Sequence, residues 1–225
     1  MDRLGLLALL PQSPEKETRP LVRAQVSMDS LKTRGYIFDR LPNTATEVRN
    51  IAALFPSAAV TRTGVDARKR ELLQTDLGTF RFVHFATHGF FPVEPGIREP
   101  ALVLSYDGDE EDRMMLSLSE VLQLKLHAEM VVLSACNTGS GRVTRAEGVA
   151  SLGTAFLTAG ASSVTVSLWS VDDKSTAILM QEFYRNLLNG MPKDAALAAA
   201  RSTLVSKSKE YTNPFYWAPF VLTGE

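Results

Sequence analysis

The run Met130-Val-Val-Leu-Ser134 is apolar and rich in β-branched residues, and it stops just before a glycine-containing loop at 136–141. Such a short, bounded run predicts a strand that is buried on both faces, as strands of a parallel sheet are. Similar runs occur at 82–86 and 163–167, with helical patterns between them. Strands separated by helices predict an α/β fold with a mainly parallel central sheet flanked by helices and right-handed crossovers.

The same kinds of pattern extend this organisation along most of the chain. Further strands are predicted at 35–38, 58–61, 101–105 and 217–222. Helices are predicted at 44–54, 67–73, 119–124, 148–158, 174–188 and 193–206. The first helix is entered through Thr44-Ala-Thr-Glu47, whose spacing is typical of a capping box. The long stretch 94–115 is largely irregular, carries an acidic tip at 107–112, and is long enough to be a mobile loop over a site.

The beginning of the chain differs in character from the rest. Residues 1–34 hold three prolines, alternating charges and little periodicity, which predicts a linker or extended N-terminal arm. The apolar run at 4–10 is too short to span a bilayer and follows few basic residues, so it is a poor signal peptide. We therefore expect one folded domain, at 35–225.

Composition narrows the class of protein. With 225 residues, 45% of them hydrophobic, the chain is long enough to bury a full core. Its 24 basic and 25 acidic residues nearly cancel, so we expect neither direct nucleic-acid binding nor membrane insertion. A single cysteine cannot form an internal disulfide, which favours a reducing, cytoplasmic location. One cysteine and three scattered histidines offer no zinc-like ligand pair, and we predict no metal or other cofactor.

Two reactive residue types follow two of the predicted strands. His88 comes just after the strand at 82–86, and Cys136 just after the strand at 130–134. Ligands of open parallel sheets bind beyond the carboxyl ends of the strands, so neighbouring strands would bring both side chains into one crevice. A thiol titrates near pH 8.5, and a nearby imidazole raises its reactive thiolate fraction. Gly89 and the Cys136 amide are the expected oxyanion donors.

A structural role is the alternative for each of these residues. A lone cysteine after an apolar strand is often a small buried hydrophobe, and a histidine at a strand end is often a hydrogen-bonded core residue. His84 lies four residues before His88, within the apolar stretch, and is predicted to be structural. The occurrence of His88 and Cys136 together, at equivalent strand ends, favours the interpretation that they form a catalytic pair.

The strand at 163–167 should lie beside the Cys136 strand and lead into a substrate pocket. Trp169 would supply an apolar wall, and Asp172 or Asp173 a carboxylate for a basic substrate side chain. Because Asp173 directly precedes a helical pattern, we expect it to be the helix N-cap. Asp172 is then the better pocket candidate.

Six blocks of sequence stand in a distinctive order between about residue 35 and the C-terminus. They are Phe85-Ala-Thr-His-Gly89, Val131-Val-Leu-Ser-Ala-Cys-Asn-Thr-Gly139, Glu147-Gly148, Ala155-Phe-Leu-Thr-Ala-Gly160, Ser167-Leu-Trp-Ser-Val-Asp-Asp173 and Asn213-Pro-Phe-Tyr-Trp-Ala-Pro-Phe-Val-Leu222. In order and spacing they resemble the CHAT domain, a bacterial branch of the caspase and separase superfamily of cysteine peptidases.

This resemblance implies a caspase-like sandwich and a thiol endopeptidase. His88 matches the family's catalytic histidine and Cys136 its nucleophile, with Gly89 in the oxyanion region. Asn137 stands where the family commonly has an acidic residue, which changes the charge beside the thiolate. CHAT domains usually follow helical repeats, often tetratricopeptide repeats, so the resemblance implies control by a repeat-containing partner or region. It also implies a protein substrate, such as a gasdermin-like defence protein, in bacterial immunity.

Two other classes of function stay open on the residues alone. The chain could be a catalytically silent, caspase-like interaction module regulated by a partner. It could also be a cysteine hydrolase or acyltransferase that does not act on peptides, because the same pair of side chains serves any activated acyl group.

Overall fold

The computed structural model describes residues 4–11, 43–91, 99–105, 114–134, 142–169 and 172–225. Its strands, β1 to β9 in chain order, are Leu4–Pro11, Ala59–Gly64, Phe80–Phe85, Gly89–Phe90, Ala101–Val103, Met115–Ser117, Met130–Leu133, Ser163–Ser167 and Phe220–Gly224. Its α-helices, α1 to α6, are Thr44–Ala52, Lys69–Gln74, Leu118–Val121, Arg142–Thr158, Asp173–Leu188 and Lys193–Lys207. Single 3-10 turns occur at Leu77–Thr79, Lys209–Thr212 and Pro214–Tyr216.

The strands form a large sheet and a small one. The large sheet has six strands in the order β2-β1-β3-β7-β8-β9. All neighbours in it are parallel except β9, which pairs antiparallel with β8. The small sheet is antiparallel, in the order β4-β5-β6. The prediction of an α/β fold with a mainly parallel central sheet flanked by helices is confirmed.

Helices cover both faces of the large sheet, because alternate strand residues point to opposite sides. On one face, Phe85 and Leu133 pack with the buried residues of α4, and the Phe85 and Phe156 rings lie 5.3 Å apart. On the other, Phe82 and Val132 pack against α1, α5 and α6. Each such buried Phe contributes about 1.5–3 kcal/mol relative to exposure. Among the described helices, none combines the length and apolar character needed to cross a membrane.

The expectation of an arm at 1–34 is wrong for its first part. Leu4–Pro11 is β1, an interior strand of the large sheet that pairs with β2 on one side and β3 on the other. Its uninterrupted apolar sequence is what an interior parallel strand requires. A strand is hard to predict from this leucine-rich run because leucine, unlike valine or isoleucine, does not indicate a strand by itself. The rest of the expected arm and the strand at 35–38 lie outside the described residues.

Most other predicted elements are present with small shifts at their ends, although α4 begins at Arg142, six residues before its predicted start. The predicted capping box is absent. The N-cap of α1 is Asn43, which makes no side-chain cap hydrogen bond. Glu47 is instead fully buried. A true capping box occurs at α3, where Ser117 accepts from the Glu120 amide and the Glu120 carboxylate accepts from the Ser117 amide. The acidic tip at 107–112 lies outside the described residues.

Candidate active site

His88 lies where the chain leaves the large sheet and enters the small one. β3 ends at Phe85, and β4 begins directly after His88. The Thr87 hydroxyl donates a hydrogen bond to the Val103 carbonyl, and the Val103 amide donates to the His88 carbonyl at 2.9 Å. Both bonds tie this short connection to β5. These bonds fix the backbone at His88, and the residue is largely buried, with 8% of its surface exposed.

The strand that leads to Cys136 is the direct neighbour of the strand that leads to His88. β3 and β7 run parallel, with Phe85 opposite Leu133. The Ser134 amide continues the ladder by donating to the Phe85 carbonyl at 3.0 Å. Cys136 lies outside the described residues, two positions beyond Ser134 in the sequence. The expected adjacency of the two strands is confirmed, and the meeting of the two side chains stays a prediction.

Gly89 is the first residue of β4 and is buried. It pairs with Leu102 of β5. A Cβ at this position would lie 2.6 Å from the Phe91 ring, closer than two carbon atoms can approach. Any side chain at position 89 would therefore force the Phe91 ring to move. Its role as an oxyanion donor stays a prediction.

The three predicted pocket residues follow β8, which is the neighbour of β7. Trp169 is held by its backbone and its ring: its carbonyl accepts from the Ser167 hydroxyl at 2.8 Å, and its Nε1 donates to the Phe215 carbonyl at 3.3 Å. Trp169 is partly exposed, and Phe215 is 47% exposed. The two residues form an accessible aromatic surface at this end of β8.

The N-cap role that was expected of Asp173 belongs to its neighbour Asp172. Asp172, not Asp173, is the N-cap of α5, and its Oδ1 accepts from the Ser175 amide at 2.7 Å. The helix begins one residue earlier than predicted, so the cap moves with it. The Asp173 carboxylate accepts from the Asn43 amide. Burial raises the pKa of Asp173 above its usual range, and the negative charges of Glu47 and Asp172 act in the same direction.

A buried polar cluster lies on the face of β3 that packs against α1 and α5. The sequence pointed to only one of its members. His84 is fully buried; its Nε2 lies 2.9 Å from Glu47 Oε1 and its Nδ1 lies 3.2 Å from the Tyr184 hydroxyl. Burial, with Glu47 nearby, raises the pKa of Tyr184 well above its usual value, which keeps the phenol neutral. The structural role predicted for His84 matches these contacts.

The signal that could have revealed this cluster was available in the sequence. Glu47 falls beside Val48 and one turn before Ile51, on the apolar side of α1, where a carboxylate needs a partner. Its second oxygen, Oε2, is buried without a hydrogen-bond partner among the described residues. His84, in the middle of an apolar strand, needed a polar partner for the same reason.

Comparison with known proteins agrees with this architecture. The family model described as "CHAT domain" matches residues 4–225. Tetratricopeptide repeat protein 28 from Mus musculus and from Homo sapiens is 40% identical over 111 residues, which are 49% of this chain but 4% of each relative. The chain thus matches only a small part of these relatives.

A solved structure extends the similarity to the whole fold. The Arg-specific cysteine proteinase gingipain R aligns with a TM-score of 0.55 and 10% identity, over 100% of this chain and 47% of that one. This neighbour has the caspase-like fold that the sequence resemblance predicted. The match of the family model begins at residue 4, which agrees with the place of β1 inside the sheet. The chain therefore belongs to the CHAT domain family and has a caspase-like α/β fold.

Proposed function

We propose that this chain is a cysteine endopeptidase in which Cys136 is the nucleophile and His88 the general base. One observation carries the proposal: the His88 backbone is fixed at the carboxyl end of β3, directly beside the strand that precedes Cys136. Both residues stand three positions beyond a directly paired couple, Phe85 and Leu133. Membership of the CHAT family and the fold shared with a cysteine proteinase support it.

The reaction follows from the chemistry of the two groups. His88 accepts the thiol proton, the thiolate adds to the peptide carbonyl carbon, and the negative charge moves to the carbonyl oxygen. The amides of Gly89 and Cys136 donate hydrogen bonds to that oxyanion. The C–N bond then breaks while the imidazolium of His88 gives its proton to the leaving amine. Water, deprotonated by His88, hydrolyses the remaining thioester.

Substrate selection is proposed to lie at the end of β8. Trp169 would contact the side chain that precedes the scissile bond, and Asp172 would bind its positive charge when it is basic. The N-cap hydrogen bond occupies Asp172 Oδ1, and a cation would approach the other oxygen. The Asp173 carboxylate is partly buried and accepts from Asn43, so it is the weaker pocket candidate. The substrate is a protein, for which a gasdermin-like defence protein stays the prediction of the family resemblance.

Control by a repeat-containing region is also part of the proposal. The relatives that match half of this chain are named for tetratricopeptide repeats. We expect low basal activity for this chain alone and stimulation when such a region, in the same protein or a partner, orders the mouth of the site. A role in bacterial defence stays a prediction, as does a cytoplasmic location.

Covalent labelling tests the proposal and separates it from a silent interaction module. A mild electrophilic thiol probe is expected to label Cys136 in the folded chain, and His88→Ala is expected to slow labelling strongly. Cleavage of an unbiased peptide library should disappear in Cys136→Ala. If Cys136 in the folded wild-type chain is labelled slowly, and His88→Ala is labelled at the same slow rate, the interaction module is favoured. Labelling by activated acyl esters without cleavage of any peptide would favour a non-peptidase acyltransferase.

A further inference from the structure

Phe91 joins the segment that carries His88 to the helix that follows the Cys136 loop. It comes directly after β4 and is 3% exposed. Its ring meets two glycines along different edges. A Cβ at Gly89 would lie 2.6 Å from Cε2 and Cζ, and a Cβ at Gly148 would lie 2.3 Å from Cδ1. The ring is therefore in close contact with β4 on one side and with α4 on the other.

Gly148 has no other reason to be glycine that the structure shows. It lies within α4, where glycine lowers helix stability relative to alanine. A positive φ would demand glycine, but the positive-φ glycines of the described chain do not include it. The space for the Phe91 ring explains the residue. It also accounts for the Glu147-Gly148 block of the sequence, which the proposed catalytic groups leave unexplained.

We propose that Phe91 is a positioning residue, which holds the Gly89 backbone N–H at a fixed distance from α4, the helix that follows the Cys136 loop in the sequence. This inference rests on the proposed function for its catalytic consequence. The physical basis is that packed interiors do not deform continuously, so a ring in contact with both segments transmits any displacement of one to the other. An oxyanion donor acts only when its N–H lies at hydrogen-bond distance from the developing charge.

Gly148→Ala tests the inference, and Gly153→Ala is its matched control. Both glycines are buried in α4, and both changes raise helix propensity. A Cβ at Gly153 would meet only ordinary contacts, the nearest at 3.5 Å to Val166. The added methyl at position 148 must displace the Phe91 ring. We expect Gly148→Ala to lower kcat roughly tenfold to a hundredfold with little change in KM, and Gly153→Ala to keep wild-type kinetics.

A compensating change separates positioning from general damage. Adding Phe91→Leu to Gly148→Ala makes room for the methyl. The methyl then fills the space that the larger ring leaves, so the shorter side chain keeps contact with both segments, and we expect part of the lost kcat to return. Equal losses in Gly148→Ala and Gly153→Ala, or wild-type kcat in Gly148→Ala, would overturn the inference. So would failure of Phe91→Leu to restore any kcat in a double variant that is folded by circular dichroism.

Amide hydrogen exchange tests the contacts of Phe91 with Gly89 and Gly148 without any measurement of turnover. Gly148→Ala should accelerate exchange at Gly89 and Phe90, whereas Gly153→Ala should not. Unchanged exchange at these amides in Gly148→Ala would refute the contact. If the wild-type chain shows no Cys136-dependent cleavage while exchange changes as expected, the proposed peptidase function fails and the positioning of Gly89 by Phe91 stands.

Discussion

Two histidines, one inside β3 and one just beyond its end, have different surroundings. His84 lies inside β3, is fully buried, and has Glu47 and Tyr184 within hydrogen-bond distance. His88 lies just beyond the end of β3, is 8% exposed, and has its carbonyl bonded to β5. Because ligands reach a parallel sheet at its carboxyl edge, four positions along the sequence separate a structural histidine from a candidate catalytic one.

The difference follows from the cost of burying polar groups. An imidazole inside the sheet stabilises the fold only when both ring nitrogens have partners, since an unsatisfied buried polar group costs about 1–3 kcal/mol. Glu47 and Tyr184 meet this need from two helices, α1 and α5. At the strand end, the fold instead fixes the backbone of His88 through the Val103 amide, at the edge of the sheet where ligands bind. Substitutions at these residues separate the structural role of His84 from the proposed catalytic role of His88.

The largest effect should come from His88. We expect His88→Ala to lower kcat/KM on the order of a thousandfold or more, because the thiol loses its base, while its urea unfolding midpoint changes little. His127→Ala is the control, since His127 is exposed and precedes β7, whereas Cys136 follows that strand in the sequence. Wild-type cleavage by purified His88→Ala would remove His88 from the mechanism.

The buried pair should show the reverse pattern, a large loss of stability. Glu47→Leu or His84→Leu alone leaves a polar partner buried and unpaired, and each should cost about 3–5 kcal/mol of unfolding free energy. The double variant removes both polar groups and should cost clearly less than the sum. Urea unfolding measures all three. Strictly additive losses, or single losses below about 1 kcal/mol, would contradict a coupled buried pair.

A smaller, substrate-dependent effect should distinguish the two neighbouring aspartates. Asparagine is as good an N-cap as aspartate, so Asp172→Asn removes the charge and keeps the cap. We expect about a hundredfold slower cleavage after Arg or Lys, and unchanged cleavage after Met or Leu. Asp173→Asn should affect all four substrates alike. Equal losses in Asp172→Asn on all four, in proportion to thermal stability, would leave Asp172 only its role at the helix terminus.

The sequence predicted local features well where a single element decides them. Short buried strands carry an unbroken apolar pattern, and this pattern predicts β3, β7 and β8 from the sequence. For β8 the predicted bounds match the structure. His88 was singled out because its place relative to the strand end can be read along the chain. Features that depend on two distant segments were missed: the pairing of Glu47 with His84, and the contact of Phe91 with Gly148.

The α/β class, the family and the two candidate catalytic residues could be predicted from the chain alone. They depend on periodicity and on the order of motifs, which are properties of the sequence. Three features required the folded structure: Leu4–Pro11 enters the sheet, Glu47 is a buried partner of His84 and not part of a cap, and Asp172 caps α5. In each case the contribution to the free energy of folding depends on contacts with residues that are distant in sequence. Burying an unpaired charge, or leaving the polar groups of a strand without partners, is costly.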